Sequence, residues 1–199
     1  MQKRLDGCRV AILATNGFEQ VEMTKPRQAL QEAGAQTYLI APDKGDIQGM
    51  NHDEKGSRFP VDKQLSSVSA SEYDALLLPG GVANPDKLRI VPQAVQFVKD
   101  FAKAGKPIAA ICHGPWMLVE ADLVRGRRLT SWPSIQTDIR NAGGQWEDSE
   151  VVSDGGLITS RKPDDIPAFN SKVIEEFAAS MYKPAAAERS RTAGGIKSA

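Results

Sequence analysis

Four short apolar runs, at residues 9–14, 37–41, 75–78 and 108–111, constrain what this chain can fold into. Each has the length of a strand buried on both faces, and turn residues punctuate the chain between them. Helical spacing fills the intervals. Residues 23–33 predict a helix with Thr24 as its cap, Pro26 in its first turn and Gly34 as its stop. A second helix runs from about 92 to 104 with Val95, Val98 and Phe101 on one side, and a third opens at 117–121. The polar, glycine-punctuated stretch 46–65 reads as a hairpin excursion. Further on, a helix at 134–142, two strands near 150–152 and 157–159, and a final helix at about 165–181 complete the alternation. Strands alternating with helices pair in parallel through right-handed crossovers, so the expectation is one α/β domain with a mostly parallel sheet sandwiched by helices. Ligands of such sheets bind at the carboxyl ends of the strands.

Three turns belong at that end: Asn16-Gly17-Phe18-Glu19, Pro79-Gly80-Gly81 and Cys112-His113-Gly114. The last is the most telling. A cysteine at a sharp strand-to-helix turn is exposed to main-chain N–H groups and the positive end of a helix, which can lower a thiol pKa from about 8.5. Cys112 is therefore the candidate nucleophile. Cys8 starts the first strand, away from these turns, and is expected to be structural. His113 could act as a base or pair with a thiolate through its ring, and stabilise an oxyanion through its N–H. Glu22 reads as a surface or helix-start charge, and His52 as a surface residue of the excursion. Trp116 either lines a pocket or packs beneath the helix.

Composition excludes more than it proposes. Lys+Arg and Asp+Glu both number 25, so no global charge argues for nucleic acid or an anionic membrane as partner. No apolar run approaches the ~20 residues of a membrane span, and no signal-peptide pattern opens the chain. Two cysteines are too few for a disulfide framework, which suits a reducing cytoplasm. Two histidines make no metal cluster, and the Gly-Gly turns lack a phosphate-loop or dinucleotide fingerprint, so neither metal nor cofactor is indicated. Residues 184–199, rich in Ala, Gly, Ser and Arg, predict a disordered tail after a domain at 1–183.

Seven markers occur in order: Asn16-Gly17-Phe18-Glu19-Gln20-Val21-Glu22, Asp74-Ala75-Leu76-Leu77-Leu78-Pro79-Gly80-Gly81, Gly105-Lys106-Pro107, Ala110-Ile111-Cys112-His113-Gly114-Pro115, Arg125-Gly126-Arg127, Asn141-Ala142-Gly143, and a run from Thr159 to Asp165. On these the chain resembles the PfpI (intracellular protease I) family, within the Parkinson-disease deglycase and class I glutamine amidotransferase-like superfamily. The resemblance implies a flavodoxin-like sheet with a nucleophile elbow at Cys112. It implies that a protonated Glu19 donates a hydrogen bond to the sulfur, and that Gly80 and Gly81 join the His113 amide in an oxyanion site. It also implies an acid reaching His113 across a subunit interface in a homodimer or hexamer. Asp86 matches that acid, with a departure: aspartate replaces glutamate, in a loop one residue longer.

Members of the family are called peptidases, deglycases, glyoxalase-like enzymes and stress proteins. The expectation here is a cysteine-dependent, hydrolase-like stress protein whose thiolate attacks a reactive carbonyl, a glycated amine or, weakly, a peptide. The alternative is a non-catalytic redox sensor or chaperone that uses an oxidisable Cys112.

Overall fold

The computed structural model describes residues 4–181; the expected tail at 184–199 lies outside the described residues. β1 (Arg9–Leu13) leads through the two-residue β2 (Phe18–Glu19) into α1 (Gln20–Glu32). β3 (Gln36–Ala41) follows, then the hairpin β4 (Asp46–Asn51) and β5 (Glu54–Pro60), and the short β6 (Lys63–Gln64). β7 (Ala75–Leu78) precedes α2 (Ala83–Leu88) and α3 (Pro92–Lys103), and β8 (Ile108–Ile111) precedes α4 (Trp116–Glu120). The chain closes through β9 (Arg128–Leu129), α5 (Gln136–Asn141), β10 (Gln145–Trp146), the hairpin β11 (Val151–Asp154) and β12 (Leu157–Ser160), and α6 (Ile166–Met181).

The main sheet has seven strands in the order β11-β12-β8-β7-β1-β3-β6, parallel except for the β11–β12 pair at one edge. Its five central strands follow the 2-1-3-4-5 order of flavodoxin-like folds, whose crevice opens beside the first strand where the winding reverses. Alternate residues feed two cores. Val10 and Ile12 face Met23 and Leu30 of α1 and Phe169, Val173 and Phe177 of α6. Ala11 and Leu13 face Phe97, Val98 and Phe101 of α3 and Met117 and Leu118 of α4. Helices on both faces explain why the strands read as unbroken apolar runs.

The amino ends of the strands are locked by polar contacts. The Arg9 N–H donates to Asp74 Oδ2 at 2.8 Å, and the Arg9 guanidinium lies over the rings of Tyr38 and Tyr73. Lys106 Nζ donates to the carbonyls of Ala70 and Tyr73.

Two expectations need correction. α1 begins at Gln20 rather than near Met23: Thr24 caps nothing, its hydroxyl donating instead to the Gln20 carbonyl at 2.9 Å. Pro26 consequently lies inside the helix, forgoing the bond its N–H would make to the Glu22 carbonyl. The Asn84-Pro85-Asp86 stretch is also a turn of helix rather than a loop.

Candidate active site

The carboxyl ends of β1, β7 and β8 converge as expected. The chain leaves β8 at Cys112 with φ of 62°, a left-handed conformation rarely adopted by a residue with a side chain. Such a conformation persists only when neighbours enforce it. Here the Cys112 N–H donates to Ser160 O at 3.0 Å, while its carbonyl accepts from Trp132 N at 2.9 Å. The sulfur faces the backbone N–H groups of Gly81 and His113.

Two of the three proposed oxyanion amides therefore face the sulfur, the Gly81 N–H being shared with Glu22. The Gly80 N–H does not: it donates to Glu22 Oε2 at 3.1 Å. Gly81 has φ of 76°, and a Cβ there would stand 2.5 Å from the Gly17 carbonyl oxygen. Only glycine lets the β1 and β7 turns approach this closely.

The carboxyl against the sulfur is that of Glu22. Its side chain hydrogen-bonds Cys112, and the residue is wholly buried, so it is not the surface charge the sequence suggested. Starting α1 at Gln20 turns Glu22 inward with Met23, Pro26 and Leu30. The signal was present as apolar spacing that continues backwards to residue 22, masked by the acid itself. Glu22 Oε1 is buried with no hydrogen-bond partner among the described residues, which penalises a carboxylate and favours a neutral acid. Burial, with Glu19's charge adding to it, pushes the Glu22 carboxyl up to about 8 against contrary pulls from Cys112 and the Gly80 and Gly81 amides. Glu19 has another partner: its Oε2 accepts the His52 N–H at 3.0 Å.

Burial also pushes the Cys112 thiol up, and a charged Glu22 would push it further, while the Gly81 and His113 amides pull it down. The low-pKa, exposed thiol read from the elbow alone is therefore not what the structure shows. Cys112 is 7% exposed, and burial opposes its charge. A charged sulfur is compatible with a Glu22 that keeps its proton.

His113 sits with Nδ1 3.2 Å from Cys112 Sγ and Nε2 3.4 Å from Ser134 Oγ. Burial lowers its pKa to about 4, so the ring is neutral at pH 7, able to accept a proton but not to form a standing ion pair. Trp132 stacks on one side at 6.0 Å between centroids, and Trp116 meets it edge-on at 5.2 Å. Trp132 lines the cavity over the sulfur; Trp116 does not, tied instead to Asp138 by a 2.8 Å bond from its indole nitrogen. Asp86 is exposed on α2, and no contact links it to His113 within one chain.

The cavity holds about 590 Å3 and opens over Cys112. Its rim includes His52 and Asp53, at the tip of the β4–β5 hairpin. The sequence reads that stretch as a hairpin excursion and His52 as a surface residue in it. His52 is exposed, as expected, but its φ of 56° and its bond to Glu19 place it at the cavity mouth. Among the described residues no group of histidine, cysteine and acidic side chains could hold a metal, and no helix is long and apolar enough to cross a membrane.

The chain belongs to the DJ-1/PfpI family, whose pattern it matches over residues 8–176. It is 43% identical over 166 residues to a putative cysteine protease, YraA, of Bacillus subtilis, covering 83% of this chain and 96% of that protein. It is also 43% identical to protein/nucleic acid deglycase 2 of Escherichia coli, covering 83% and 95%. Among solved structures, Drosophila melanogaster DJ-1beta superposes with a TM-score of 0.79 at 26% identity, covering 86% of this chain and 90% of that one. The deglycase name corrects one exclusion. Balanced charge argues against gripping a phosphate backbone, but it says nothing about a modified base entering a cavity.

Proposed function

We propose that this DJ-1/PfpI protein is a cysteine-dependent hydrolase that removes reactive-carbonyl adducts from amines, with Cys112 as nucleophile. The observation that carries this reading is the fully buried Glu22 carboxyl, one oxygen of it unpartnered among the described residues, against the sulfur of a left-handed Cys112; burial favours its protonated form. Attack begins when the Cys112 proton passes to Nδ1 of the neutral His113. The sulfur then forms a bond to the electrophilic carbon, and the displaced electron pair moves onto oxygen. That oxygen meets the Gly81 and His113 amides, and Glu22 holds a proton beside it. That carbon is the aldehyde freed when the carbinol C–N bond of the adduct breaks, the amine taking a proton from Glu22 or His113 as the carbinol hydroxyl becomes C=O. A hydrogen shift to the neighbouring carbonyl then turns the hemithioacetal into a thioester, and water releases a 2-hydroxy acid from the sulfur.

Relatives named deglycase support the adduct as substrate, and one named protein/nucleic acid deglycase brings glycated nucleic acid into range. A relative named general stress protein 18 supports a protective role. Peptide hydrolysis is the weaker activity, since an unactivated amide demands more of the same groups than an adduct does. The working unit is a homo-oligomer in which α2 packs on a second copy. Val82 and Ile90, 58% and 80% exposed, flank Asp86 there, and Asp86 reaches His113 of the second copy.

The test compares wild type with Cys112→Ser on methylglyoxal, a methylglyoxal-treated amine and a fluorogenic peptide. Cys112-dependent release from the treated amine, faster than peptide cleavage, is expected. Equal rates for both proteins on every substrate would overturn the reading.

A further inference from the structure

The Gly81 N–H that faces the sulfur belongs to the same peptide unit as the Gly80 carbonyl. That unit is planar and trans, so its N–H and C=O point in opposite directions, and whatever holds the oxygen aims the hydrogen. Glycine on both sides leaves the plane with no side chain to resist rotation. Neither position can take one: a Cβ on Gly80 would stand 2.6 Å from the Cys112 Cβ, and one on Gly81 would stand 2.5 Å from the Gly17 carbonyl oxygen. A rotated plane would turn a carbonyl oxygen toward the sulfur, where it would repel both a thiolate and an oxyanion.

Two donors hold the Gly80 oxygen, the Glu19 N–H at 3.3 Å and Asn84 Nδ2 at 3.2 Å. Asn84 is itself fixed on two further sides. Its Nδ2 also donates to the Pro79 carbonyl at 3.0 Å, and its Oδ1 accepts the Thr15 N–H at 2.8 Å. One end of the amide meets an N–H and the other meets two carbonyls, which determines its orientation. The side chain is buried near the start of α2 and bridges the chain leaving β1 to the chain leaving β7, the two turns that meet at the sulfur.

Resting on the reading above, in which the Gly81 amide receives the developing oxyanion, we propose that Asn84 is a positioning residue. It clamps the Gly80–Gly81 peptide in the one orientation that aims the Gly81 N–H at the reacting centre. Asn84 acts through the backbone and touches no substrate. The same N–H favours charge on the Cys112 sulfur, so loosening the clamp also changes the free protein.

Both effects can be read in full-length Cys8→Ser protein carrying Asn84→Leu, which keeps the shape of the side chain and removes its hydrogen bonds. Iodoacetamide forms a C–S bond to the Cys112 thiolate and releases iodide; no oxyanion arises, so the rate reports the sulfur alone. Alkylation at pH 8 is expected to be about tenfold slower than in the Cys8→Ser parent. On the methylglyoxal-treated amine, kcat should fall on the order of tenfold or more with KM within about twofold. Asp74→Asn weakens a side-chain tie at the far end of the sheet and should leave both rates unchanged, which separates the clamp from loss of stability. If Asn84→Leu does not fold, Asn84→Ala is measured the same way. In the parent, the Asn84 side-chain amide protons should exchange with solvent far more slowly than those of free asparagine.

Alkylation no slower than in the parent, a turnover loss confined to KM or absent, equal slowing in Asp74→Asn, fast-exchanging Asn84 protons, or a sulfur that iodoacetamide never reaches would overturn the proposal. Unchanged alkylation with intact Cys112-dependent deglycation would sink the clamp alone. Slowed alkylation in a protein without such turnover would leave the clamp standing and sink the hydrolase reading alone.

Discussion

Cys8 and Cys112 mark opposite ends of one parallel sheet, and both are buried. Burial raises both thiols, Cys8 to about 12 with Asp74 adding to the effect. What separates them is the company each keeps. Around Cys8 the polar groups are matched to one another: Arg9 with Asp74 and two tyrosine rings, Lys106 with two carbonyls. Around Cys112 they are left with work to do. Gly81 and His113 amides point at sulfur, burial favours the proton on a carboxyl, and one of its oxygens has no partner among the described residues. The reactivity proposed for Cys112 thus rests on incomplete pairing at one end of a sheet whose other end is closed, rather than on exposure of a thiol.

The sharpest way to break this comparison is to exchange the sulfurs one at a time. Cys112→Ser is expected to lower turnover by about 10³-fold or more, measured as kcat/KM on the treated amine. Cys8→Ser should leave kcat/KM within about twofold and cost roughly 1–3 kcal/mol in urea unfolding, for burying a hydroxyl. A Cys8 variant as inactive as the Cys112 variant would erase the distinction between the two ends.

Glu22→Gln comes next, with an expected loss of about 10²-fold in kcat, because an amide cannot deliver a proton. Its stability should also respond to pH with a definite sign. The folded carboxyl titrates near 8 and the unfolded one near 4.5, so between these values the folded state holds the extra proton. Wild-type stability therefore falls as pH rises from 4.5 to 8, relative to the glutamine variant, by an amount on the order of a few kcal/mol. Parallel curves for the two proteins would mean that Glu22 is ionised in the native state.

A smaller contrast comes from two glycines with positive φ. Gly81→Ala meets the Gly17 carbonyl and is expected to cost about 3 kcal/mol and most of the activity. Gly105→Ala, at the closed end with open space around it, should cost only about 1 kcal/mol with activity intact. Smallest of all, Asp74→Asn should lower stability by about 1 kcal/mol and leave kcat/KM alone.

Much of this architecture was legible in the residues. Strands buried on both faces announce themselves as short apolar runs, and the elbow at Cys112 stands out because few residues tolerate such a turn. The acid beside the sulfur was harder to find. Glu19 and Glu22 sit three residues apart at a helix start, and which of them turns inward depends on where the first turn begins. That start is set by Glu19 joining the β2–β4 pairing and by Gln20 entering the helix, long-range facts that local capping rules do not contain. Trp132 was missed for a similar reason. Its position depends on a backbone bond to the Cys112 carbonyl across 20 residues of chain, whereas Trp116 looked favourable only by proximity in sequence.

The β4–β5 hairpin has a further consequence. It is held by its own antiparallel ladder, by the pairing of β4 with β2 and by the edge-on contact of Phe18 with Phe59, and it brings Met50, His52 and Asp53 to the mouth. Residues 51–54 therefore form a cassette. The threshold can be altered by rewriting four positions, while the Cys112 elbow beneath keeps its geometry.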